Sequence, residues 1–153
     1  MYEIHYYDKY NSQRSLCNLM KVSEKNMVKS AEIFCSMLPF DAYVVPMPSH
    51  LGYPTYMLHI AAYILRYRPD IKLLDILECE PHESLCDMKR SGKPIEQEIV
   101  FKVRKPLLDC NVCVIDNVYD TGKTWDAASH FLRSSGYIPE LYVIAKTETN
   151  QLF

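Results

Sequence analysis

Residues able to bind a phosphate group follow one strongly apolar segment of the chain. The apolar residues are Val112-Cys113-Val114-Ile115, and the polar run after them is Asp116-Asn117-Val118-Tyr119-Asp120-Thr121-Gly122-Lys123-Thr124. A loop that turns from a strand into a helix directs several backbone N–H groups at one point, which suits a phosphate dianion. Gly122 permits close backbone approach, and the hydroxyls of Thr121 and Thr124 can donate hydrogen bonds. The segment therefore predicts a phosphate-binding loop, to which Lys123 can add charge.

A Gly-Lys-Thr triplet also occurs in the P-loop of nucleoside-triphosphate-binding proteins, which is the first alternative. That motif requires a glycine five residues before the glycine of the triplet, and this chain has Asn117 there. Asp116 and Asp120 would also stand inside a triphosphate cradle, where like charges repel. The two acids instead suit a ligand that carries a sugar.

The elements around this loop alternate between helices and strands. In chain order the patterns predict a helix from Ser23 to Pro39, a strand at 42–45, a helix with Pro54 as its first residue, strands at 73–77, 99–103 and 112–115, a helix over 127–132 that Gly136 ends, and a strand at 141–144. This alternation predicts an α/β fold with a central, mainly parallel sheet. Ligands of such sheets bind beyond the carboxyl ends of the strands, which is where Asp116 falls.

Composition limits the class of protein. A length of 153 residues fits a single domain spanning 1–153, and 48% hydrophobic with 24% charged residues is typical of a globular protein. No apolar run could span a membrane and no secretion signal is present, so we expect a cytoplasmic protein. A net charge of -2 does not favour a nucleic-acid partner. Cys110 and Cys113 have the spacing of half a zinc site, but no second pair completes it, so the cysteines predict no zinc site.

The chain resembles the type I phosphoribosyltransferase family. The signature of that family is similar to the run here: four apolar residues, an acid, a polar residue, two apolar residues and then Asp-Thr-Gly-Lys-Thr. The part from Asp120 to Thr124 is similar to the hypoxanthine-guanine members. Over 99–103, 112–124 and 142–147 the spacing is more similar to the ComF-like and amidophosphoribosyltransferase-like branch. Val45-Pro46-Met47-Pro48-Ser49-His50 resembles the Val-Pro-x-Pro segment of that branch, so the resemblance covers roughly residues 40 to 147.

The resemblance implies a three-layer α/β/α fold that binds phosphoribosyl pyrophosphate. In that arrangement Asp116 and Asn117 would bind the ribose hydroxyls, and Asp120, Thr121, Gly122, Lys123 and Thr124 would hold the 5-phosphate. Ser49 and His50 would contact the pyrophosphate. The pyrophosphate would bring a magnesium ion near Asp116, and no protein side chain would bind that ion directly. Asp120 would also stabilise an oxocarbenium-like transition state or take a proton.

The resemblance also implies a catalytic loop. Residues 80–97 correspond to the flexible loop of the family, in which Lys89, Arg90 and Lys93 could close over the leaving pyrophosphate. Arg90 is the catalytic candidate among them. The plain alternative is a solvated basic patch.

Two departures from the family bear on activity and on the acceptor. Asn117 stands where the family usually has a second acid, which removes one negative charge near the ribose. Only six residues follow Thr147, which predicts a reduced or absent C-terminal hood. The acceptor would then be recognised by a hood formed by residues 1–22. Lys146 is a further candidate for binding the base. Family members are often dimers, so a homodimer is a weak expectation.

Three functional hypotheses follow. The first is a transferase that uses phosphoribosyl pyrophosphate and magnesium to ribosylate a small-molecule acceptor, a nucleobase or an amine, with release of pyrophosphate. The second is a non-catalytic regulatory module that binds phosphoribosyl pyrophosphate or a nucleotide, which Asn117 and the missing hood favour. The third is an unrelated α/β phosphate-binding enzyme such as a kinase.

Overall fold

The computed structural model describes residues 3–84, 92, 99–103 and 110–148. The elements in these ranges are β1 Ile4–Lys9, α1 Tyr10–Leu19, α2 Glu24–Met37, β2 Tyr43–Pro46, α3 Tyr56–Tyr67, β3 Lys72–Leu73, β4 Leu77–Cys79, β5 Phe101–Val103, β6 Asn111–Tyr119, α4 Lys123–Ser134 and β7 Ile138–Lys146. Arg90 and most of the predicted catalytic loop lie outside the described residues. None of the helices in the described ranges is long and apolar enough to cross a membrane.

The central sheet has five strands in the order β1-β7-β6-β2-β3, and every neighbouring pair is parallel. Cys113 and Ile115 of β6 pack in a core with α1, α2 and α3, whereas Val112 and Val114 pack in a second core with α4 and the β4–β5 pair. This alternation follows from the two-residue period of a strand. The predicted three-layer α/β/α fold with a parallel central sheet is confirmed.

The strand β6 lies in the middle of the sheet and explains why its sequence is apolar without alternation. Helices cover both faces, so all four residues from Val112 to Ile115 are buried. The strand is longer than predicted, because its pairing with β7 continues to Tyr119 opposite Lys146. The polar end of β6 therefore remains part of the rigid sheet.

The prediction of a single strand at 73–77 is wrong. Lys72–Leu73 pairs with β2, and the Leu74 N–H still donates to the Val44 carbonyl at 2.8 Å. The chain then leaves the central sheet, and Leu77–Cys79 pairs antiparallel with Phe101–Val103. Burial of Ile76 and Leu77 in the α4 core favours this departure, because both side chains can then pack on that face.

One helix boundary also differs from the sequence prediction. Helix α3 begins at Tyr56 with Thr55 as its N-cap residue, not at Pro54, and its first turn is closed by the Leu58 N–H to the Thr55 carbonyl at 3.1 Å. Within the segment 1–22, Ile4–Lys9 forms the edge strand β1 and Tyr10–Leu19 forms α1, and the possible hood over this segment stays a prediction. Ser23 caps α2 as predicted, accepting from the Asn26 N–H at 3.4 Å.

Arg68 joins the ends of α2 and α3 at the edge of the sheet. Its guanidinium donates to the Cys35 carbonyl at 2.8 Å, the Leu38 carbonyl at 3.1 Å and the Pro39 carbonyl at 3.1 Å. It also forms a two-pronged ion pair with Asp70 at 2.8 and 2.9 Å. The guanidinium thus satisfies carbonyls at the C-terminal end of α2, where a positive charge is favourable.

We expect Arg68→Met to lower the free energy of unfolding by about 2 kcal/mol, because charge-assisted hydrogen bonds to otherwise unsatisfied carbonyls are lost. Urea denaturation followed by circular dichroism measures the change. Arg14→Met, at an exposed position of α1, is the matched control and should change stability by less than about 0.5 kcal/mol. Equal effects of the two substitutions would contradict this role.

Candidate functional site

A crevice opens where β2 and β6 separate. The connection from β2 through α3 leads to β3 on one side, and the connection from β6 through α4 leads to β7 on the other. The β2–β6 ladder ends at Pro46 opposite Ile115, with the Met47 N–H donating to the Ile115 carbonyl at 2.9 Å. Pro48 has no N–H to continue the pairing. Neighbouring strands whose connections run in opposite directions form a ligand crevice at their carboxyl ends.

Two cavities, of about 720 and 280 Å³, occupy this crevice. Both are lined by the same five residues, Asn18, Lys21, Asp116, Asn117 and Thr124. The larger cavity also has Ser49 and His50 in its lining, and the smaller one has 120–122. The predicted pyrophosphate residues and the predicted phosphate loop therefore lie on two sides of the predicted ribose residues.

The phosphate loop turns sharply at Gly122, whose φ is +84°. The backbone conformation disfavours a side chain there, and a Cβ atom would lie 2.5 Å from the Tyr119 hydroxyl oxygen, so the Tyr119 ring would have to shift. Thr121 accepts a hydrogen bond from the Lys123 N–H at 3.3 Å, and the Asp126 N–H donates to the Gly122 carbonyl at 2.7 Å. Helix α4 thus starts directly at the loop, so the positive end of its dipole lies beside the smaller cavity, which Gly122 and Thr124 line.

Asp120 is oriented by the end of the neighbouring strand β7. The Thr147 hydroxyl donates to Asp120 Oδ1 at 2.8 Å, and the Thr147 N–H donates to the Tyr119 carbonyl at 3.0 Å. Thr147 also lines the smaller cavity. Sequence reasoning gave Thr147 no role, because its contact with Asp120 depends on the register of β6 and β7.

The loop that carries Ser49 and His50 is fixed by its own hydrogen bonds and by β4. The Ser49 hydroxyl donates to the Tyr53 carbonyl at 3.2 Å and accepts from the Leu51 N–H at 3.2 Å. A Cβ on Gly52, where φ is +103°, would lie 2.6 Å from the Cys79 carbonyl oxygen. Because the Ser49 hydroxyl serves the loop itself, the exposed His50 is the better placed of the two for a ligand.

Asp116 lines both cavities and is half-buried. Burial raises the pKa of its carboxyl group to about 6, although a hydrogen bond from the Asn117 N–H, at 2.8 Å, and the charge of Lys21 both act to lower it. Burial, with a smaller contribution from Asp116, also raises the pKa of the Tyr56 phenol well above its usual range. Loss of hydration therefore dominates the environment of the Asp116 carboxyl group.

Helix α1 and the turn after it supply two lining residues that sequence reasoning missed. Asn18 and Lys21 line both cavities, although they are about one hundred residues from the phosphate loop. The Cys17 thiol contacts the Asn117 carbonyl at 3.9 Å, which brings the C-terminal end of the helix against the end of β6. No local pattern in the sequence could show this, since it results from β1 joining the sheet beside β7.

Two predicted lysines do not line the described cavities. Lys146 Nζ lies 5.6 Å from the centre of the Tyr6 ring and 5.7 Å from that of the Tyr119 ring, an arrangement typical of cation–π contacts. Lys123 is likewise outside the lining formed by the described residues. A base-binding role for Lys146 and a phosphate contact from Lys123 stay predictions.

Comparison with known proteins gives no family. No protein-family model matches the chain, and no curated protein matches it significantly. Among solved structures it is similar to a hypothetical protein from Neisseria gonorrhoeae with bound ppGpp, with 15% sequence identity and a TM-score of 0.44. That alignment covers 95% of this chain and 73% of the other. A likeness at this level carries no argument about function.

The desolvated carboxyl group of Asp116 should cost stability at neutral pH. Its folded pKa of about 6 exceeds the ordinary value of 3.8, so the folded state binds the proton more tightly. The penalty is absent below pH 4, appears as the pH rises towards 6 and is complete above it. We expect Asp116→Asn to raise the free energy of unfolding by about 2 kcal/mol at pH 8 and by little at pH 4. Urea denaturation at both pH values measures this, and a pH-independent gain would contradict it.

Proposed function

We propose that this chain is a phosphoribosyltransferase that binds phosphoribosyl pyrophosphate with magnesium and transfers ribose 5-phosphate to a nitrogen nucleophile. The observation that carries the proposal is the shared lining of the two cavities. Asp116 and Asn117 line both, with the 120–124 loop on one side and the Ser49–His50 loop on the other. A ligand with a phosphate, a sugar and a pyrophosphate in that order matches this arrangement. A cytoplasmic location and a homodimer remain predictions from the sequence.

Each proposed contact follows from local chemistry. The hydroxyls of Thr121 and Thr124 and the start of α4 would bind the 5-phosphate, and Asp116 would accept hydrogen bonds from the ribose hydroxyls. In the reaction the bond from ribose C1 to the pyrophosphate oxygen breaks, and a bond from the acceptor nitrogen to C1 forms. Asp120, held by Thr147, would stabilise the positive charge that develops on the ribose or accept the proton of the nucleophile.

The residues present fit a magnesium ion that arrives with the pyrophosphate. Asp116 Oδ1 accepts the Asn117 N–H, and within the described part of the chain no hydrogen bond engages the other carboxylate oxygen. An anionic oxygen beside a cavity can accept hydrogen bonds from the water shell of a magnesium ion that the pyrophosphate holds. The ion would neutralise the charge that builds up on the leaving pyrophosphate.

A specific observation favours the second candidate, a binding module without catalysis. Asn117 Oδ1 accepts a hydrogen bond from the Val118 N–H at 2.9 Å, so the amide oxygen is engaged by its own backbone. It also brings no negative charge to the ribose site. A module of this kind would bind the same ligand and release no pyrophosphate.

The first experiment is a calorimetric titration of phosphoribosyl pyrophosphate into the protein with magnesium, followed by pyrophosphate release against a panel of nucleobases and amines. We expect saturable binding and release with one acceptor class. Thr124→Val should weaken binding at least about tenfold, because a hydrogen bond to a charged group is lost. Ser134→Ala, at the other end of α4, is the control and should bind normally. Binding without release would support the regulatory module, and no binding would refute both readings.

Asp120→Asn separates the transferase from a protein that only binds. The variant keeps the size of the side chain and an oxygen for Thr147, so we expect nearly unchanged affinity for phosphoribosyl pyrophosphate. Transfer should fall at least about a hundredfold, since the charge that stabilises the transition state is gone. Asp41→Asn, in the loop before β2, is the matched control and should retain full activity. Wild-type turnover in Asp120→Asn would remove Asp120 from the mechanism.

A further inference from the structure

Two acidic residues face each other at the amino-terminal end of the β1–β7 pair. The register pairs Ile4 with Leu141 and His5 with Tyr142, which places Glu3 opposite Glu140 one step earlier. The Leu141 N–H donates to the Glu3 carbonyl at 3.1 Å, so the backbones are joined at this point. Like charges directly opposite on neighbouring strands are destabilising. Nothing in the proposed function requires this pair, which lies at the opposite end of the strands from the crevice.

His5 joins the two carboxylates because it projects from the same face of β1 as Glu3, two residues on. Its Nε2 atom lies 3.4 Å from Glu3 Oε1 and 3.6 Å from Glu140 Oε1. The three potential ligand atoms all fall within 4.8 Å of one another. The imidazole is held in place by stacking on the Tyr142 ring, with ring centres 4.3 Å apart and planes 11° from parallel. The nitrogen is therefore fixed towards the acids.

The surroundings of the His5 Nε2 atom are a second indication that this cluster suits a cation. The atom is shielded from solvent, although the side chain as a whole is 32% exposed, and among the described residues it makes no hydrogen bond of good geometry, because the two carboxylate oxygens lie 3.4 and 3.6 Å away. A buried polar nitrogen without a partner is costly. A cation between the three atoms would satisfy the nitrogen and remove the repulsion of the two carboxylates.

We propose that Glu3, His5 and Glu140 bind one zinc ion, with water as the fourth ligand. Ligand atoms in a tetrahedral zinc site lie about 3.4 Å from one another, and the distances from Nε2 are close to that value. One imidazole and two carboxylates form a ligand set that zinc accepts. The ion would fasten edge strand β1 to β7. Since α1 follows β1 directly, it would also stabilise the element that brings Asn18 and Lys21 to the crevice.

The neighbouring thiol is not part of the proposed site. Cys113 pairs with Glu140 in the β6–β7 register, so it lies on the same face one strand further in. It is buried, and that burial raises the pKa of the thiol to about 11, which keeps it protonated at neutral pH. Cys113→Ala therefore distinguishes a site made by Glu3, His5 and Glu140 from one made by cysteine.

The test is a titration of zinc chloride into chelator-treated full-length protein, with magnesium chloride as the comparison ion. We expect one zinc per chain, and a loss of affinity of more than about tenfold in both His5→Gln and Glu140→Gln. His130→Gln and Glu32→Gln, at exposed helix positions, and Cys113→Ala should bind as the wild type does. Far-UV circular dichroism verifies that each variant is folded.

Thermal unfolding is a second measurement, which tests the proposal even if a substitution destabilises the protein. Zinc should raise the thermal midpoint of the wild type and leave that of His5→Gln unchanged. An ion pair alone would lower the midpoint in both variants and give no zinc-dependent shift in the wild type, which would overturn the proposal. Zinc binding of wild-type strength in both variants, or its loss in Cys113→Ala alone, would overturn it equally.

Discussion

The separation of β2 from β6 after Ile115 is the constraint on which the rest of the structure depends. β2 cannot continue its ladder through Pro48, whereas β6 continues beside β7 as far as Tyr119. One side of β6 therefore remains paired and rigid, and the other side opens into a crevice. The opposite directions of the α3 and α4 crossovers keep that crevice clear of helices. Every polar residue assigned to the ligand is attached to one of the two diverging chains or packs against them.

The central part of the fold could be predicted from the sequence because its signals are local. Val112 to Ile115 is apolar on both faces, which favours a covered parallel strand, and Ser23 is a helix cap that needs no tertiary context. The edge of the fold could not be predicted in the same way. β1 is half exposed and mixes tyrosine, histidine and acid, so it has no clear period. The division of 73–77 between two sheets depends on which core Ile76 and Leu77 enter.

The residues of the candidate site likewise fall into those that the sequence could predict and those that it could not. Residues next to a strand end, such as Asp116 and Thr124, are recognisable from their position in the chain together with their chemistry. Lys21 and Thr147 are not, because the first reaches the crevice through α1 and the second through the pairing of β7 with β6. A resemblance based on short motifs assigns the first kind of residue only. Contacts made by sheet register have to be read from the structure.

The electrostatics of the crevice give Asn117 a physical meaning. Asp116 is already desolvated enough for its pKa to reach about 6, and a second carboxylate beside it would raise both values further. An amide at 117 avoids that repulsion and bonds its own backbone instead. The amide attracts a cation at the ribose end less strongly than a carboxylate would. The positive charge of Lys21 weakens that attraction further. A polyanionic ligand would then be drawn mainly by Lys21 and the start of α4. At the ribose end Asp116 would be left to orient the sugar, and its charge, which Lys21 offsets in part, would be offset further when a cation accompanies the ligand.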